Sequence, residues 1–168
     1  MKNVFKILMI IPLLGIILFA CQPADYKEIG VPVQNVSALA GTWKLSRVTQ
    51  TDEDAARKGF PFTTLDLTSV FPYGDFKLTL NTNGNSPTTF ATTPGNAPKV
   101  IRLLTGNWTA DDPTYPKVLT LVNGTDTSRV TLGSYPTGST GALKLRQEKR
   151  DATTGKLLIS YNFEFTKQ

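Results

Sequence analysis

The stretch that decides the fold is LLISYNFEF, residues 157–165. Every second residue in it is large and apolar or aromatic: Leu157, Ile159, Tyr161, Phe163 and Phe165. Successive side chains of a β-strand point to opposite faces, so this alternation predicts a strand with one buried face. In a barrel the last strand pairs with the first, so we expect these residues to meet Trp43 and Leu45.

Shorter runs upstream show the same two-residue period. The clearest apolar positions are Trp43 and Leu45, then Phe76, Leu78 and Leu80, and finally Leu143 and Leu145. Weaker strands are predicted at residues 88–92 and 129–132. Residues 100–104 and 118–122 carry apolar side chains on both faces, so we expect two strands that are covered on both sides.

Turn signals separate these runs about every 8 to 12 residues, a spacing typical of all-β domains. The sequence therefore predicts an all-β fold, an antiparallel meander that forms a closed or partly open barrel of about 8 to 10 strands with one short helix. A β-sandwich is the alternative architecture.

The short helix is predicted directly after the first strand. Thr51 is the predicted N-cap, residues 52–54 are acidic, and residues 57–58 are basic. These charges complement the helix dipole at both ends. A helix of about two turns needs tertiary support, so we expect it to plug or cover the barrel. The apolar residues it offers for this contact are Ala55, Ala56 and Phe60.

The first 20 residues have the layout of a secretory signal peptide. Lys2 and Lys6 give a positive start, residues 7–19 are mostly apolar, and Ala20 precedes Cys21, the single cysteine of the chain. A membrane-spanning helix is the alternative, but residues 7–20 fall short of the roughly 20 apolar residues that a span requires.

The end of this segment, Leu18-Phe19-Ala20-Cys21, resembles the lipobox of bacterial lipoproteins. The resemblance implies cleavage before Cys21, attachment of lipid to its thiol, and anchoring to the outer membrane of the cell envelope, on its periplasmic face or at the cell surface. We therefore expect a signal peptide at 1–20, a lipid anchor and linker at 21–38, and the barrel domain at 39–168.

The composition excludes several classes of function. The chain contains no histidine, which rules out a Ser-His-Asp or Cys-His nucleophile and a His-ligated zinc site. Its formal net charge of +5 falls to +3 without Lys2 and Lys6, too small to indicate nucleic-acid binding. Asp111 and Asp112 precede Pro113 and predict a turn rather than a catalytic carboxylate pair. We expect no enzyme, and no catalytic residue, metal or cofactor.

Five short motifs carry a family resemblance: Leu39-x-Gly41-x-Trp43, Asp66-Leu67-Thr68, Phe76-x-Leu78-x-Leu80-Asn81, Gly106-x-Trp108 and Asp111-Asp112-x-x-Tyr115-Pro116. Together they resemble the lipocalin-like lipoprotein domains of Bacteroidetes, a largely uncharacterised family. The resemblance implies a barrel and an envelope location, and some members are similar to accessory proteins of outer-membrane glycan uptake. The chain lacks the second and third lipocalin motifs, so the resemblance implies no lipocalin ligand.

Tyr73, Tyr115 and Tyr135 are the candidate ligand-binding residues. Each lies in a predicted loop beside proline or glycine, where an amphipathic ring suits stacking on carbohydrate. Anchoring of the loops is the alternative role.

Trp43 and Trp108 are interpreted as core residues. A basic stripe either contacts lipid headgroups or acidic sugars, or is an ordinary solvated face; it comprises Lys144, Arg146, Lys149 and Arg150.

Two functions fit these observations. The first is a non-catalytic envelope protein, attached to the membrane through lipid on Cys21, that binds a small apolar or glycan ligand at the barrel mouth. The second is a structural module whose filled barrel docks on another envelope protein. A barrel of about eight strands either fills its lumen with side chains or holds one small ligand, so the sequence leaves both functions open.

Overall fold

The computed structural model describes residues 35–134 and 141–168, which belong to one compact unit. Its strands are β1 (Gly41–Asp52), β2 (Thr64–Asp66), β3 (Lys77–Asn83), β4 (Ser86–Thr93), β5 (Thr105–Ala110), β6 (Val118–Asn123), β7 (Asp126–Ser134), β8 (Ala142–Arg150) and β9 (Leu157–Lys167). The α-helix α1 is Glu53–Arg57, and two 3₁₀ helices are Val36–Leu39 and Tyr73–Asp75.

Eight of these strands close into an antiparallel barrel. Their order is β1-β3-β4-β5-β6-β7-β8-β9, and β9 pairs with β1 to complete the circle. The ninth strand, β2, is an extra strand that pairs with the later part of β1. The closing register places Leu45 opposite Phe165 and Val48 opposite Phe163. The predicted meander barrel with one short helix is confirmed, and the sandwich is wrong.

The inward faces of the strands fill the barrel with side chains. The largest fully buried residues include Trp43, Phe76, Phe90, Trp108 and Phe165. The rings of Phe76 and Phe165 meet edge to face, with their centroids 6.2 Å apart. Most of the lumen lined by the described residues is therefore a packed core.

The barrel end at which β1 begins is termed the closed end. The 3₁₀ helix Val36–Leu39 covers it, with both of its terminal residues buried in the core. The Leu39 carbonyl accepts a 2.8 Å hydrogen bond from Trp43 Nε1, and the Pro113 carbonyl accepts one from the Val36 N–H. The predicted linker runs to Ala38, but the packed domain already begins at Val36. The reason is that Val36 and Leu39, three residues apart, both pack into the core.

Helix α1 leaves β1 at the opposite end, and its N-cap is Asp52 rather than the predicted Thr51. Asp52 Oδ1 accepts hydrogen bonds from the N–H groups of Asp54 (3.0 Å) and Ala55 (2.8 Å). Thr51 remains inside β1, where it pairs with Ser160 of β9. The strand runs one residue further than its sequence suggests, and the capping position moves with it.

Polar contacts hold α1 against the outside of the barrel. Glu53 Oε1 accepts hydrogen bonds from Arg146 Nη2 (2.7 Å) and from the buried Ser160 hydroxyl (2.6 Å). Phe60 is 59% exposed, and no residue of α1 is buried. The helix therefore does not plug the barrel with Ala55, Ala56 and Phe60. It is five residues long and covers the outer face of β8 and β9 through polar contacts.

The predicted strand at residues 100–104 is also wrong. Residues 94–104 form the connection between β4 and β5, and Val100, Ile101 and Leu103 are buried in it. The Thr92 N–H donates to the Leu104 carbonyl at 2.7 Å, and the Thr92 hydroxyl donates to the Leu103 carbonyl at 3.0 Å. An apolar run indicates burial in either a strand or a folded-in loop, and here the loop closes over the core.

The predicted signal peptide, Cys21 and most of the predicted linker lie outside the described residues, as does Tyr135. Within residues 35–134 and 141–168, no helix is long and apolar enough to cross a membrane.

Candidate functional site

A cavity of about 240 Å³ lies at the barrel end opposite the closed end, termed the cavity end. Its lining residues are Tyr73, Pro98, Lys99, Val100, Gln147, Lys149, Tyr161 and Phe163. They come from the 3₁₀ helix Tyr73–Asp75, the 94–104 loop, β8 and β9. Pockets for drug-sized molecules measure about 300–1,000 Å³, so this cavity fits a ligand of about one ring.

The register of the strands explains where the core gives way to the cavity. One inward row is apolar and buried, and it consists of Val48, Phe163 and Leu145. The next row towards the cavity end is only half-buried, and it consists of Gln50, Tyr161 and Gln147. The character of the lumen therefore changes from apolar to mixed over two residues of each strand.

Polar side chains hold the 94–104 loop in place as one wall of the cavity. Gln147 Nε2 donates a 2.7 Å hydrogen bond to the Val100 carbonyl, which joins β8 to the loop. Asp75 Oδ2 accepts a 3.3 Å hydrogen bond from the Asn96 N–H. Gly95 beside it has φ +56°, and a Cβ there would lie 2.6 Å from the Asp75 Cβ. Glycine is needed for this close approach, and the wall is fixed from two sides.

Aromatic rings form a second wall. The rings of Tyr161 and Phe163 stack with centroids 6.3 Å apart and 16° between their planes. Tyr73 is 8% exposed, and its ring meets the edge of Phe71 at 5.8 Å. Burial raises the pKa of the Tyr73 hydroxyl, and the neighbouring Tyr161 raises it further. At neutral pH this hydroxyl is therefore protonated and available as a donor beside apolar ring faces.

The predicted basic stripe of β8 is divided between two environments. Three of its members form ion pairs with glutamates: Lys144 with Glu164, Arg146 with Glu53 and Glu148, and Arg150 with Glu148. Lys149 instead shares the inward face of β8 with Gln147 and lines the cavity. Lys99 of the 94–104 loop lines it as well, and the lining contains no aspartate or glutamate. The cavity therefore combines aromatic, amide and cationic groups.

The structure separates the tyrosines that the sequence singled out. Tyr73 lines the cavity, whereas Tyr115 is 59% exposed in the loop between β5 and β6. That loop lies at the closed end, because β5 runs towards that end and β6 returns from it. Tyr73 and Tyr115 therefore do not share one site. Ligand binding by Tyr73, Tyr115 and Tyr135 stays a prediction.

Sequence reasoning missed Gln147, Lys149 and Lys99 as cavity residues. A signal for the first two was present, since they continue the inward alternation of Leu143 and Leu145 along β8. The sequence contained no equivalent signal for Lys99, because a loop without strand periodicity does not reveal which side chains face inward.

Trp43 and Trp108 are core residues, as predicted. Each is 1% exposed, and Trp108 Nε1 donates a 2.8 Å hydrogen bond to the Asn81 carbonyl. Each indole follows a glycine with positive φ by two residues, and the tighter of the two sites is Gly106 at φ +149°. A Cβ at Gly106 would lie 2.0 Å from the Val122 carbonyl oxygen. The repeated Gly-x-Trp pattern is thus a packing device and not a ligand site.

Asp111 and Asp112 organise the closed-end loop, which confirms the predicted turn. Asp111 Oδ1 accepts hydrogen bonds from the N–H groups of Val118 (3.0 Å) and Lys117 (2.8 Å), and these bonds lower the pKa of the carboxyl. Asp112 Oδ1 accepts two more from backbone N–H groups of the same loop, each 2.7 Å long. Both carboxylates therefore bind their own backbone.

An exposed apolar ridge adjoins the cavity. It is defined by Phe60, Phe62, Leu65, Val70 and Phe71, which are 46% to 94% exposed. Leu65 of β2 pairs with Gln50, and Phe71 packs on Tyr73, so two members of the ridge lie close to the cavity wall. All five lie within residues 60–71, and exposed apolar patches are typical of binding surfaces.

The fold and the site define a closed β-barrel with a filled core and a small amphipathic cavity at one end. A family model described as Domain of unknown function (DUF5004) matches residues 20–165, and the chain belongs to this family. A search of curated proteins found no match. Membership of an uncharacterised family is thus confirmed, while the finer likeness to lipocalin-like lipoproteins of Bacteroidetes stays a prediction.

Proposed function

We propose that this protein is a lipid-anchored, non-catalytic protein of the bacterial cell envelope that binds a small apolar or glycan ligand in its cavity. The observation that carries this proposal is the cavity itself, which lies beside a tightly packed core in the described part of the barrel. A domain that served only as a packed spacer would gain stability by filling this space, because unfilled volume costs packing energy.

The chemistry of the lining supports a ring-shaped ligand. The stacked pair Tyr161 and Phe163 offers an apolar surface, and the Tyr73 hydroxyl and Gln147 amide supply hydrogen-bonding groups at its edge. Small-ligand sites commonly combine apolar walls with a few polar groups that fix orientation. A sugar ring, with one apolar face and a rim of hydroxyls, matches this arrangement, and so does a small apolar ring.

Binding of the purified protein to a glycan array and to small aromatic compounds tests the site. Tyr161→Ala should weaken binding roughly fivefold, because one stacking contact is worth about 1 kcal/mol. Tyr115→Ala tests the other predicted tyrosine, at the closed end, and should bind like the wild type if the cavity alone holds the ligand. Circular dichroism checks that both variants are folded.

The opposite pattern would contradict the cavity as the site. If Tyr115→Ala lost binding and Tyr161→Ala kept it, the ligand would sit on the closed-end loop. A protein purified from its own cells should also carry a small ligand in native mass spectrometry, and Tyr161→Ala should carry less of it.

The lipid anchor rests on the sequence Leu18-Phe19-Ala20-Cys21 and on the likeness to lipocalin-like lipoproteins. Cells that express the protein should incorporate labelled palmitate into the wild type and not into Cys21→Ala. Fractionation should place the wild type in the outer membrane. Incorporation that persists in Cys21→Ala would remove the anchor from the proposal.

The apolar ridge favours a second candidate function, docking on another envelope protein. Phe62 is 94% exposed, and a ring this exposed loses contact with water only when a partner covers it. A photo-crosslinking residue placed at position 62 should join one envelope protein, identified by mass spectrometry. The same residue at Asn83, near the closed end, should give no such product. Equal crosslinking from both positions would contradict docking through the ridge.

A further inference from the structure

The two lysines of the cavity lead to a narrower statement about its ligand, which rests on the function proposed above. We infer that the cavity binds a single-ring ligand that carries a carboxylate, with Lys99 and Lys149 as the groups that recognise the negative charge. A sugar acid and an aromatic acid share this chemistry, and the experiment below distinguishes them.

The first step of the argument is the contrast between Lys149 and its neighbours on β8. The other three cations of this strand each pair with a glutamate at 2.6 to 3.4 Å. Lys149 makes no ion pair within the described part of the chain, and neither does Lys99. The other three positive charges of β8 are therefore neutralised by glutamates, whereas Lys149 is available to a ligand.

The second step concerns the carboxylates on the strands and loops that form this end of the barrel. Asp52 is opposite Ile159 in β9, which is in turn opposite Lys149 in β8. Its Oδ1 atom accepts two N–H groups of α1, so this carboxylate serves as the helix cap. Glu148 alternates away from the cavity and binds Arg150 and Arg146. Asp75, beside the 94–104 loop, accepts the Asn96 N–H, so these three carboxylates all bind groups other than the two lysines.

The third step is the way the two lysines are brought together. The hydrogen bond between Gln147 Nε2 and the Val100 carbonyl ties the 94–104 loop to β8. Lys99 precedes Val100, and Lys149 lies two residues beyond Gln147, so this bond holds together the two segments from which both lysines line the cavity. An ammonium group close to an aromatic wall recognises a ring acid by charge at one edge and by stacking at the other.

Calorimetry with four probes tests the inference: glucuronate and glucose as one pair, benzoate and benzyl alcohol as the other. The acid of one pair should bind at least about tenfold more tightly than its neutral partner, since hydrogen bonds to charged groups contribute about 1.5–3 kcal/mol. The pair that shows this preference identifies a sugar acid or an aromatic acid. Raising the salt concentration should reduce the preference.

The lysines are tested by substitution at exposed positions, where folding is little affected. Lys99→Met combined with Lys149→Met should abolish the preference for the acid, and Lys149→Arg should retain most of it. Lys144→Met is the matched control on the same strand, since Lys144 is held by Glu164 at 3.4 Å, and it should behave like the wild type.

The inference and the proposed function fail in different ways. Equal binding of acid and neutral partner, unchanged in the lysine variants, would overturn the inference and leave the cavity as a ligand site. Absence of binding by all four probes at millimolar concentration would also overturn the inference. The proposed function is then judged separately, on the glycan array and on the ligand that co-purifies.

Discussion

The two ends of this barrel are built from the same strands and differ in what covers them. At the closed end, the 3₁₀ helix Val36–Leu39 places two buried apolar side chains over the core and bonds to Trp43. At the cavity end, the 94–104 loop covers only part of the opening and leaves about 240 Å³ between Tyr73, Tyr161 and Lys149. The barrel thus has one end sealed by packing and one end available for recognition.

The difference shows how a small domain combines stability with a site. The inward row of Val48, Phe163 and Leu145 is apolar and supplies packing. The next row towards the cavity end carries amide and phenol groups instead. Five of the exposed large apolar residues form the ridge beside the cavity. Binding groups concentrate where packing is incomplete, because a group that is fully packed cannot contact a ligand.

The largest expected effect is on stability, and it should differ between two aromatic residues on the same face of β9. Phe165→Ala should lower the free energy of unfolding by about 3–5 kcal/mol, because it empties a fully buried site that contacts Phe76. Tyr161→Ala, four residues closer to the cavity end, should cost less than about 2 kcal/mol, because its ring is only half-buried. Urea denaturation measures both. Equal losses would mean that the two ends are packed alike.

The next test concerns the seal itself. Leu39→Ala should cost about 2–5 kcal/mol, since Leu39 is fully buried at the closed end. Leu104→Ala is the matched control at the cavity end, where the side chain is 51% exposed, and it should change stability by less than about 0.5 kcal/mol. Urea midpoints give both values. A Leu39→Ala protein as stable as the wild type would show that the 3₁₀ helix is not part of the core.

A smaller effect is expected at the helix beside the cavity end. Asp52→Ala should cost about 1 kcal/mol, because the two N–H groups that Asp52 caps lose their acceptor. Thr51→Ala should cost less, since Thr51 lies in β1 and does not cap the helix. Thermal unfolding compares the two. A larger loss of stability for Thr51→Ala would show that Thr51 is the N-cap, as the sequence suggested.

The smallest effect is a pH dependence of the closed-end loop. The backbone N–H of Val118, with that of Lys117, holds the pKa of Asp111 below its ordinary value. The folded state therefore gains stability from ionised Asp111 above the unfolded pKa of about 3.9, and loses it as the pH falls through the folded pKa. Asp111→Asn keeps an acceptor oxygen but removes the charge. Its melting temperature should lie a few degrees below wild type at pH 7, and the gap should narrow as the pH falls below about 3.9. A constant gap across this range would contradict an electrostatic contribution.

Much of the fold was predictable, because alternation and turn residues act locally. The face of β9, the inward positions of β1, β3 and β8, and the core role of both tryptophans were all predictable from residue type and spacing. The errors lay where local patterns are ambiguous. The apolar run at 100–104 is a buried loop, the helix begins one residue later than Thr51 suggests, and Val36 belongs to the core.

The candidate site was less predictable than the fold. Of the three predicted tyrosines, the structure places Tyr73 in the cavity and Tyr115 at the other end, and Tyr135 lies outside the described residues. The cavity is assembled from a 3₁₀ helix, a loop and two strands that are distant in sequence. Which of their side chains meet depends on barrel closure and register, and neither is visible in a local pattern.

The sequence by itself determined the strand faces, the turns, the apolar core and the absence of histidine chemistry, because each depends on residue identity within a few positions. Only the tertiary structure decided that the lumen is filled, that one end is sealed and that Lys149 faces inward while its neighbours are paired. These properties depend on how a closed barrel brings distant residues into the same row, and on whether a loop and a 3₁₀ helix fit the space at its two ends.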